Sequence, residues 1–426
     1  MLVHLPKALL LTVSFGLIGL GAAAPHGGKF PAPNTAKAIY LLTNDQSNAV
    51  VALPIAADGT LSQGTVTPTG GEGSNSVNAM QQPAAPDALL SQAALTIAGN
   101  VGFEPKLSPS KQGFANSSQN IFAVNAGSNT LSMLSINPWE PTKLTTVGQP
   151  ASVPGQFPNT VAASAIHQLA CVGTTGAANG VSCSSFSRNG LGAMDNLRSF
   201  DLVQTTPPVG PTNTVSQVFF SEDESRLFAT VKGNPAVNDT GFFSVFPVQN
   251  GHWQQAASLA TKDIRSSPAG TAVLFGSGTI PGTSSVFVTD ASFGGAVLSI
   301  DSNSNVASTV AKQAISGQKA TCWVAISPAT GSAFVTDVAV NRLVEMSLTD
   351  ASILSITDLS ADGDPGLIDL RAGGNFVYAL SPGNGTTPAA VTVLDVSGGQ
   401  GSAKMIQHFA LNGMGVGKNA QGMAIF

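Results

Sequence analysis

The residues with the clearest chemical potential are two cations and two carboxylates that lie near predicted turns. Lys232 and Arg265 could hold a carboxylate, the lysine as a point charge and the arginine as a planar fork. Asp290 and Asp337 could act as a general acid and base, or bind a cation through their oxygens. Aspartates at strand ends also cap turns, and a lysine beside a tight turn at Gly233 can simply be solvated. Both the chemical and the structural role are open for each of them.

Other polar and aromatic side chains occupy equivalent places along the chain. Asn44 and Asn125 end strands, Asn159 begins one, and Trp323 follows a strand start, where it either contacts a ligand or packs between strands. Residues 362–366 (DGDPG) faintly resemble a calcium loop, but they lack its remaining spaced ligands and its closing glutamate, which favours a turn. No metal site and no organic cofactor is predicted.

These residues recur at one position of a repeated β unit. The unit consists of a strand that ends in a polar residue, a turn-rich loop and a strand of alternating polarity, and the chain has no convincing long amphipathic helix. A unit repeated in this way is typical of a β-propeller. The copies of the polar-ended strand lie at residues 41–44, 122–125, 169–173, 228–232, 287–290, 334–337 and 378–381. We therefore predict an all-β fold, a seven-bladed β-propeller.

The first copy lacks a preceding inner strand, which residues 422–426 can supply. A C-terminal strand that completes the first blade would close the ring and remove its open edges. A loop-rich insertion at about residues 67–119 is difficult to interpret and leaves six or eight blades as alternatives.

Strand direction predicts where the candidate residues gather. Inner strands begin, and second strands end, at the same face of a propeller, which we call the mouth of the central channel. The candidate ligand-binding residues predicted at or near the mouth are Lys232, Arg265, Asp290, Asp337, Asn125, Asn159, Asn44 and Trp323.

Histidine, the commonest proton carrier in catalysis, is absent from the predicted mouth. General acid–base work requires a group within hydrogen-bond reach of the substrate. The five histidines fall in the predicted leader, in the N-terminal stretch, in two turns and on an outer strand: His4, His26, His167, His252 and His408.

Composition excludes several classes of protein. Charged residues make up 10% of the 426 residues, and the formal net charge is −5. No basic block is present, so a nucleic-acid partner is not expected. Residues 1–23 are typical of a signal peptide, followed by a flexible stretch at 24–37 and a single propeller domain at 38–426. No membrane span is predicted, and a monomer is expected.

In a secreted protein, cysteines can form disulfides and asparagine sequons can be glycosylated. Cys171 and Cys183 flank a predicted hairpin tip, where facing positions allow a cross-strand disulfide, whereas Cys322 is expected to be a buried free thiol. The predicted glycan acceptors are Asn116, Asn238 and Asn384.

Several stretches resemble secreted fungal proteins described as 3-carboxymuconate cyclase-like, which belong to the seven-bladed lactonase-type propellers. The resemblance runs from about residue 38 to 426 and is carried by residues 125–130, 204–211, 230–233, 289–292 and 322–323. It implies that an enzyme of this family would place a His, an Arg and a Glu around the mouth. The chain departs from that pattern, since it has Pro158–Asn159, residues 212–214 (TNT) and Val231–Lys232 in place of Pro-His, Pro-Arg-His and Asn-Glu.

Two functions follow from this resemblance. The favoured one is a secreted glycoprotein, free or retained in the cell wall, that serves as a non-catalytic or adhesin-like scaffold for a small carboxylated molecule or an extracellular surface. The alternative is an enzyme that interconverts a carboxylated muconate and its lactone, with Lys232 and Arg265 binding carboxylates and Asp290 or Asp337 moving the proton.

Overall fold

Short β-strands joined by tight turns make up most of the regular structure. The computed structural model describes residues 36–99, 119–251 and 256–426, and in these ranges the only helices are two single 3₁₀ turns, Pro235–Val237 and Ser360–Asp362. Neither helix has the length or apolar character needed to cross a membrane. The strands form seven antiparallel sheets of four or five strands each, which are the seven predicted blades.

The blades share one strand order from the channel outward. The innermost strands of blades 1 to 7 are Gln421–Ile425, Leu95–Gly99, Pro158–Ser164, Val215–Phe220, Leu274–Thr279, Thr321–Ser327 and Ile368–Gly373. The second strands are Ala38–Leu42, Gln119–Asn125, Leu169–Thr175, Arg226–Val231, Ser285–Asp290, Ser332–Asp337 and Phe376–Ser381. The third strands are Ala49–Pro54, Thr130–Ile136, Asn179–Ser187, Phe242–Gln249, Gly294–Ile300, Val340–Ser347 and Ala390–Asp395.

The outer strands are more irregular. Single strands complete blades 1, 5, 6 and 7, and pairs of short strands complete blades 2, 3 and 4. In blade order they are Thr65–Pro68, Leu144–Thr146 with Ala151–Ser152, Gly190–Leu191 with Arg198–Ser199, Ser258–Leu259 with Ile264–Ser266, Ala307–Ala314, Ile353–Asp358 and Lys404–Ala410.

The strands become more exposed toward the outer edge of each blade. The second strands are almost entirely buried, because each is covered on both faces by neighbouring blades, and they are rich in Phe, Val and Ala. The outer strand Ile353–Asp358 alternates between half-buried and exposed residues, as expected for a sheet edge with one solvated face. The hydrophobic core therefore runs as a band between the blades.

The C-terminal strand closes the ring, as predicted. It pairs antiparallel with the first strand of the described chain, with Tyr40 opposite Ala424. The innermost strands contact one another in sequence around the axis, and the one in blade 1 contacts those of blades 7 and 2. Six or eight blades are thereby excluded.

Two predicted segments fall wholly or partly outside the described residues. Residues 1–35, which include the predicted signal peptide, lie outside the described ranges, and Lys37 belongs to blade 1, since its carbonyl accepts a hydrogen bond from the Ile55 N–H. The insertion contains the innermost strand of blade 2, Leu95–Gly99, and its residues 100–118 lie outside the described ranges. The described residues belong to one unit, Pro33–Phe426.

Candidate functional site

A segment of the insertion fills the mouth of the channel. Residues 87–94, which we call the plug, lead into the innermost strand of blade 2, and Ala88 to Ala94 are buried. The plug has three non-glycine residues with left-handed backbone, Asp87, Leu90 and Ala93, at φ of 68°, 57° and 64°. Such conformations persist only where surrounding contacts impose them. The plug residues hydrogen-bond to blades 1, 3, 4 and 6 through Gln421, Asn159, Ser216, Trp323 and Val324.

β-Bulges direct side chains toward the plug. In six blades the register between the innermost and second strands shifts near the mouth. A bulge inserts a residue into one strand and re-aims its side chain. The bulged Asn159 donates to the carbonyl of Leu89 over 3.1 Å, and the backbone carbonyl of the bulged Ser216 accepts from the Gln92 N–H over 2.9 Å. The repeat thus supplies the groups that hold the plug.

Lys232 is the cation at the mouth, but it binds the plug. Its side chain is buried, and Nζ donates to the carbonyl of Leu90 over 2.7 Å and to Ser216 Oγ over 3.0 Å. Nζ also lies 4.2 Å from the centre of the Phe275 ring, a cation–π contact. Its carboxylate counterpart is Asp87, which accepts from Gln421 Nε2 over 2.7 Å.

Burial shifts both members of this pair toward their neutral forms. Desolvation lowers the pKa of Lys232 to about 8, and the negative charge of Asp87 partly opposes this change. Desolvation raises the pKa of Asp87 to about 6, and the charge of Lys232 together with the Gln421 hydrogen bond partly opposes it. The two side chains form no direct ion pair, so Lys232 anchors the plug through its hydrogen bonds, and Asp87 acts on it only through its charge.

Trp323 and Cys322 are also buried near the mouth. The indole is fully buried, its Nε1 donates to the carbonyl of Ser91 over 3.0 Å, and its ring meets Phe275 edge-on at 5.0 Å. Cys322 is the predicted buried free thiol, and desolvation raises its pKa well above the ordinary value. Neither side chain is available to an external ligand.

Asp290 and Asp337 adopt the structural role that the sequence left open for them. Asp290 accepts from the backbone N–H groups of Ala272, Val273 and Ser292 at 2.7 to 3.1 Å. Asp337 accepts in the same way from three backbone N–H groups, those of Lys319, Ala320 and Ala339. Each carboxylate therefore caps the segment that leads into the innermost strand of its own blade.

Asn44 and Asn125 hold the first part of the insertion against blades 1 and 2. Asn44 exchanges two hydrogen bonds with the backbone of Ser74, at 2.8 and 3.3 Å. Asn125 accepts from Thr69 Oγ1 over 2.6 Å and from Asn48 Nδ2 over 2.9 Å. Both side chains lie at the mouth face but serve the chain itself.

The prediction that Arg265 lies near the mouth is wrong. It belongs to the outer strand Ile264–Ser266 of blade 4, three strands away from the channel. Its Nε binds Asp263 Oδ2 at 2.7 Å, and its guanidinium covers the rings of Phe242 and Phe200 at 4.6 and 5.2 Å. The sequence suggested an inner-strand start because this short outer strand directly precedes a turn.

The opposite end of the channel is open, and we call it the open end. A cavity of about 300 Å³ lies there, lined mainly by the second halves of the innermost strands, with Gln92 and Ala93 of the plug as its floor. Its walls mix apolar side chains, with Val161, Val218 and Val324 among them, and polar ones in about equal measure. Apolar walls with a few placed polar groups are typical of small-molecule sites.

Two polar side chains at the open end have unused hydrogen-bonding capacity. Arg371 Nη1 donates to Asp369 Oδ1 and to the carbonyl of Leu370, each over 2.7 Å, whereas Nε and Nη2 have no protein partner among the described residues. Ser277 Oγ is buried and has no hydrogen-bond partner within the described ranges. Asp369 is satisfied by Arg371 and by the N–H groups of Leu370 and Met423. A carboxylate could therefore bind the free edge of the guanidinium.

A second cleft, of about 370 Å³, lies between blades 4 and 5 and includes Asp223 and Arg226. Asp223 accepts from the hydroxyls of Ser221 and Ser225, and Arg226 Nε donates to Asn305 over 2.6 Å. Its charged groups therefore stabilise surface turns.

Sequence reasoning missed Asp87, Gln92, Gln421 and Arg371. A usable signal was present in residues 84–94 (AAPDALLSQAA), because an apolar run in the middle of a loop indicates burial. Arg371 gave no signal, since it stands in an unremarkable inner strand.

The predicted disulfide is confirmed, and two predicted glycan acceptors are exposed. Cys171 and Cys183 are register partners joined by an S–S bond. Asn238 and Asn384 lie in exposed turns, whereas Asn116 lies outside the described residues. Glycosylation itself stays a prediction.

The described histidines lie away from the mouth, as expected. His167 is in a turn at the opposite face, and His408 is on the outer strand of blade 7. His4, His26 and His252 lie outside the described ranges.

Comparison with known proteins identifies similar structures only. No protein-family model matches the chain, and no curated protein matches its sequence. A candidate 6-phosphogluconolactonase from Bacteroides fragilis NCTC 9343 superposes with a TM-score of 0.56 at 9% identity, over 92% of this chain and 98% of that one. Another from Bacteroides uniformis ATCC 8492 gives 0.52 at 14% identity, over 67% and 80%. The chain has a lactonase-like propeller fold. At these identities the likeness shows the fold alone, and the resemblance to the secreted fungal proteins stays a prediction.

Proposed function

We propose that this chain is a secreted, non-catalytic propeller that binds a small carboxylated ligand at the open end of its channel. The observation that carries the proposal is the plug. The chain's own residues occupy the mouth, where an enzyme of the lactonase type would be expected to bind its substrate.

The groups needed by the enzymatic alternative are already engaged. Lys232 holds Leu90 and Ser216, and Asp290 and Asp337 are saturated by backbone N–H groups. Arg265, the second cation of that alternative, lies on an outer strand. A substrate at the mouth would have to displace the plug and break the buried hydrogen bonds of Lys232, which favours binding without turnover.

The open end offers what a carboxylated ligand needs. The free edge of Arg371 provides a fork of N–H donors, Ser277 provides a hydroxyl, and the valines of the walls provide apolar contacts. Hydrogen bonds to charged groups contribute about 1.5–3 kcal/mol each. One such contact in a small cavity supports selective binding of an anion.

An extracellular location is part of the proposal. It is supported by the Cys171–Cys183 disulfide, since disulfides persist in oxidising compartments, and by the exposure of Asn238 and Asn384. An adhesin-like role would use the outer surface of the propeller, and binding of the purified protein to immobilised matrix proteins tests that part separately.

The decisive experiment measures binding and turnover together. Titration calorimetry with 3-carboxymuconate, its lactone and their uncharged methyl esters should show binding of the carboxylates but not of the esters. Chromatography of the same mixtures should show no ring opening or closing. Arg371→Gln should weaken carboxylate binding by about 10- to 100-fold, whereas the matched variant Arg265→Gln, which changes an arginine on an outer strand, should bind like the wild type.

Two results would overturn the proposal. One is turnover that disappears in a folded Lys232→Met variant, because it would make the mouth an active site. The other is carboxylate binding that is unchanged in Arg371→Gln, or absent from the wild type, because the open end would then not be an anion site.

A further inference from the structure

Three side chains of types that ligate metals meet at the seam between blades 6 and 7, apart from both ends of the channel. Asp362 and Asp364 come from the linker between the two blades, and His408 comes from the outer strand of blade 7. One ligand atom from each lies within 4.8 Å of the others. His408 Nε2 is 3.1 Å from Asp364 Oδ2. Two ligands of one tetrahedral zinc, each bonded at about 2.0 Å, lie about 3.3 Å apart.

Oxygen atoms at this seam lack hydrogen-bond partners among the described residues. Asp364 Oδ1 lacks a hydrogen bond of good geometry, although its side chain is fully buried and the Ser381 hydroxyl lies close to the carboxylate, and Asp362 Oδ2 is unpartnered as well. Asn341, which is 8% exposed, donates through Nδ2 to the Asp362 carboxylate, and its own Oδ1 has no partner. Buried polar atoms are almost always paired, so three unpaired oxygens around one cluster indicate a ligand.

Electrostatics at the seam also favour a cation. Two carboxylates, those of Asp362 and the fully buried Asp364, lie close together at this seam. A protonated His408 would satisfy only one oxygen of Asp364. A metal ion would neutralise both carboxylates and accept the imidazole nitrogen at the same time.

We propose that Asp362, Asp364 and His408 bind one divalent transition-metal ion, and zinc is the natural probe. Imidazole nitrogen suits zinc, whereas calcium takes oxygen ligands almost exclusively. Three protein ligands leave a fourth position for water or for an incoming group. The ion would join the blade 6–7 linker to the outer strand of blade 7 and would stabilise this seam. The site is independent of the proposed ligand at the open end.

The test uses the full chain after removal of metals with a chelator. Equilibrium dialysis against micromolar zinc, followed by elemental analysis, should give one zinc per chain in the wild type. Asp364→Asn and His408→Gln should each weaken zinc binding by at least about 100-fold. Matched variants that change an exposed aspartate of blade 6 and a histidine of the opposite face, Asp350→Asn and His167→Gln, should bind zinc like the wild type. Zinc should raise the thermal unfolding temperature of the wild type but not that of the two site variants.

The proposal is wrong if the wild type binds no zinc under these conditions, if it binds calcium in preference to zinc, or if both site variants retain wild-type affinity. His408→Gln keeps the test valid even if Asp364→Asn misfolds, because the His408 side chain is 28% exposed.

Discussion

The two ends of the channel use similar residue types for opposite purposes. At the mouth, Lys232 and the aspartates are bonded to the chain itself, and the plug excludes other occupants. At the open end, Arg371 keeps unused donors at the wall of a cavity. A charged residue near the axis of a propeller is therefore no indication of a binding site until its hydrogen-bond partners are known.

The largest effect is expected at the mouth. Lys232→Met should lower the free energy of unfolding by about 3–5 kcal/mol, because it leaves the buried Leu90 carbonyl and Ser216 hydroxyl without their donor and removes the positive charge that acts on the Asp87 carboxylate. Denaturant titration measures this loss. Lys312→Met, at an exposed lysine that contacts only the carbonyl of Gly270 and the Phe293 ring, is the matched control and should change stability by less than about 0.5 kcal/mol.

The double variant Asp87→Asn/Lys232→Met sharpens this prediction. Replacing both charges removes the unpaired carboxylate, so most of the lost stability should return. A double variant as unstable as Lys232→Met would show that packing by the lysine stem, rather than charge pairing, anchors the plug.

The second-largest loss of stability is expected for a substitution at Gly276, near the mouth. Gly278, which lies in the same strand but nearer the open end, serves as the control. A Cβ at Gly276 would lie 2.1 Å from Gln92 Oε1 and 2.6 Å from the Cys322 carbonyl, so Gly276→Ala should displace the plug and cost about 2 kcal/mol. A Cβ at Gly278 would meet only the Ile326 side chain, whose nearest atom lies at 3.1 Å. Gly278→Ala should therefore lower the free energy of unfolding by less than about 1 kcal/mol. Equal losses in thermal unfolding would contradict a tightly seated plug.

The third and smallest effect is a pH dependence that originates at the mouth. Since the folded pKa of Asp87 is raised from 3.8 to about 6, its contribution to stability should fall as the pH rises through this window. Since the folded pKa of Lys232 is lowered from 10.5 to about 8, its contribution should rise between these two values. The slope is at most about 1.4 kcal/mol per pH unit for each group.

Unfolding midpoints at pH 5, 7 and 9 measure this dependence. Relative to Asp87→Asn/Lys232→Met, the wild type should be least stable near pH 7 and should gain stability at pH 5 and at pH 9, and a constant difference would disprove the coupling.

The fold was predictable because it depends on a local repeat. Strands such as residues 287–290 and 334–337 carry the same pattern, and residues 422–426 complete the missing position. The disulfide followed from register, because Val172 facing Ser182 requires Cys171 to face Cys183.

The candidate site was less predictable because it depends on contacts that are distant in sequence. Strand direction correctly brought Lys232, Asn159 and Trp323 to the axis, but it did not reveal that the insertion returns to fill it. Arg265 was misplaced because a short outer strand and an inner-strand start look alike in sequence. His408 and Asp364 meet across 44 positions, a separation that no local pattern encodes.

One side chain connects the closing strand to the plug. Gln421 accepts from the Leu89 N–H over 2.8 Å and donates to both Asp87 and Ser91 over 2.7 Å. The strand that completes the ring of blades therefore also holds the plug in place. Truncation before Gln421 should release the plug as well as open the ring.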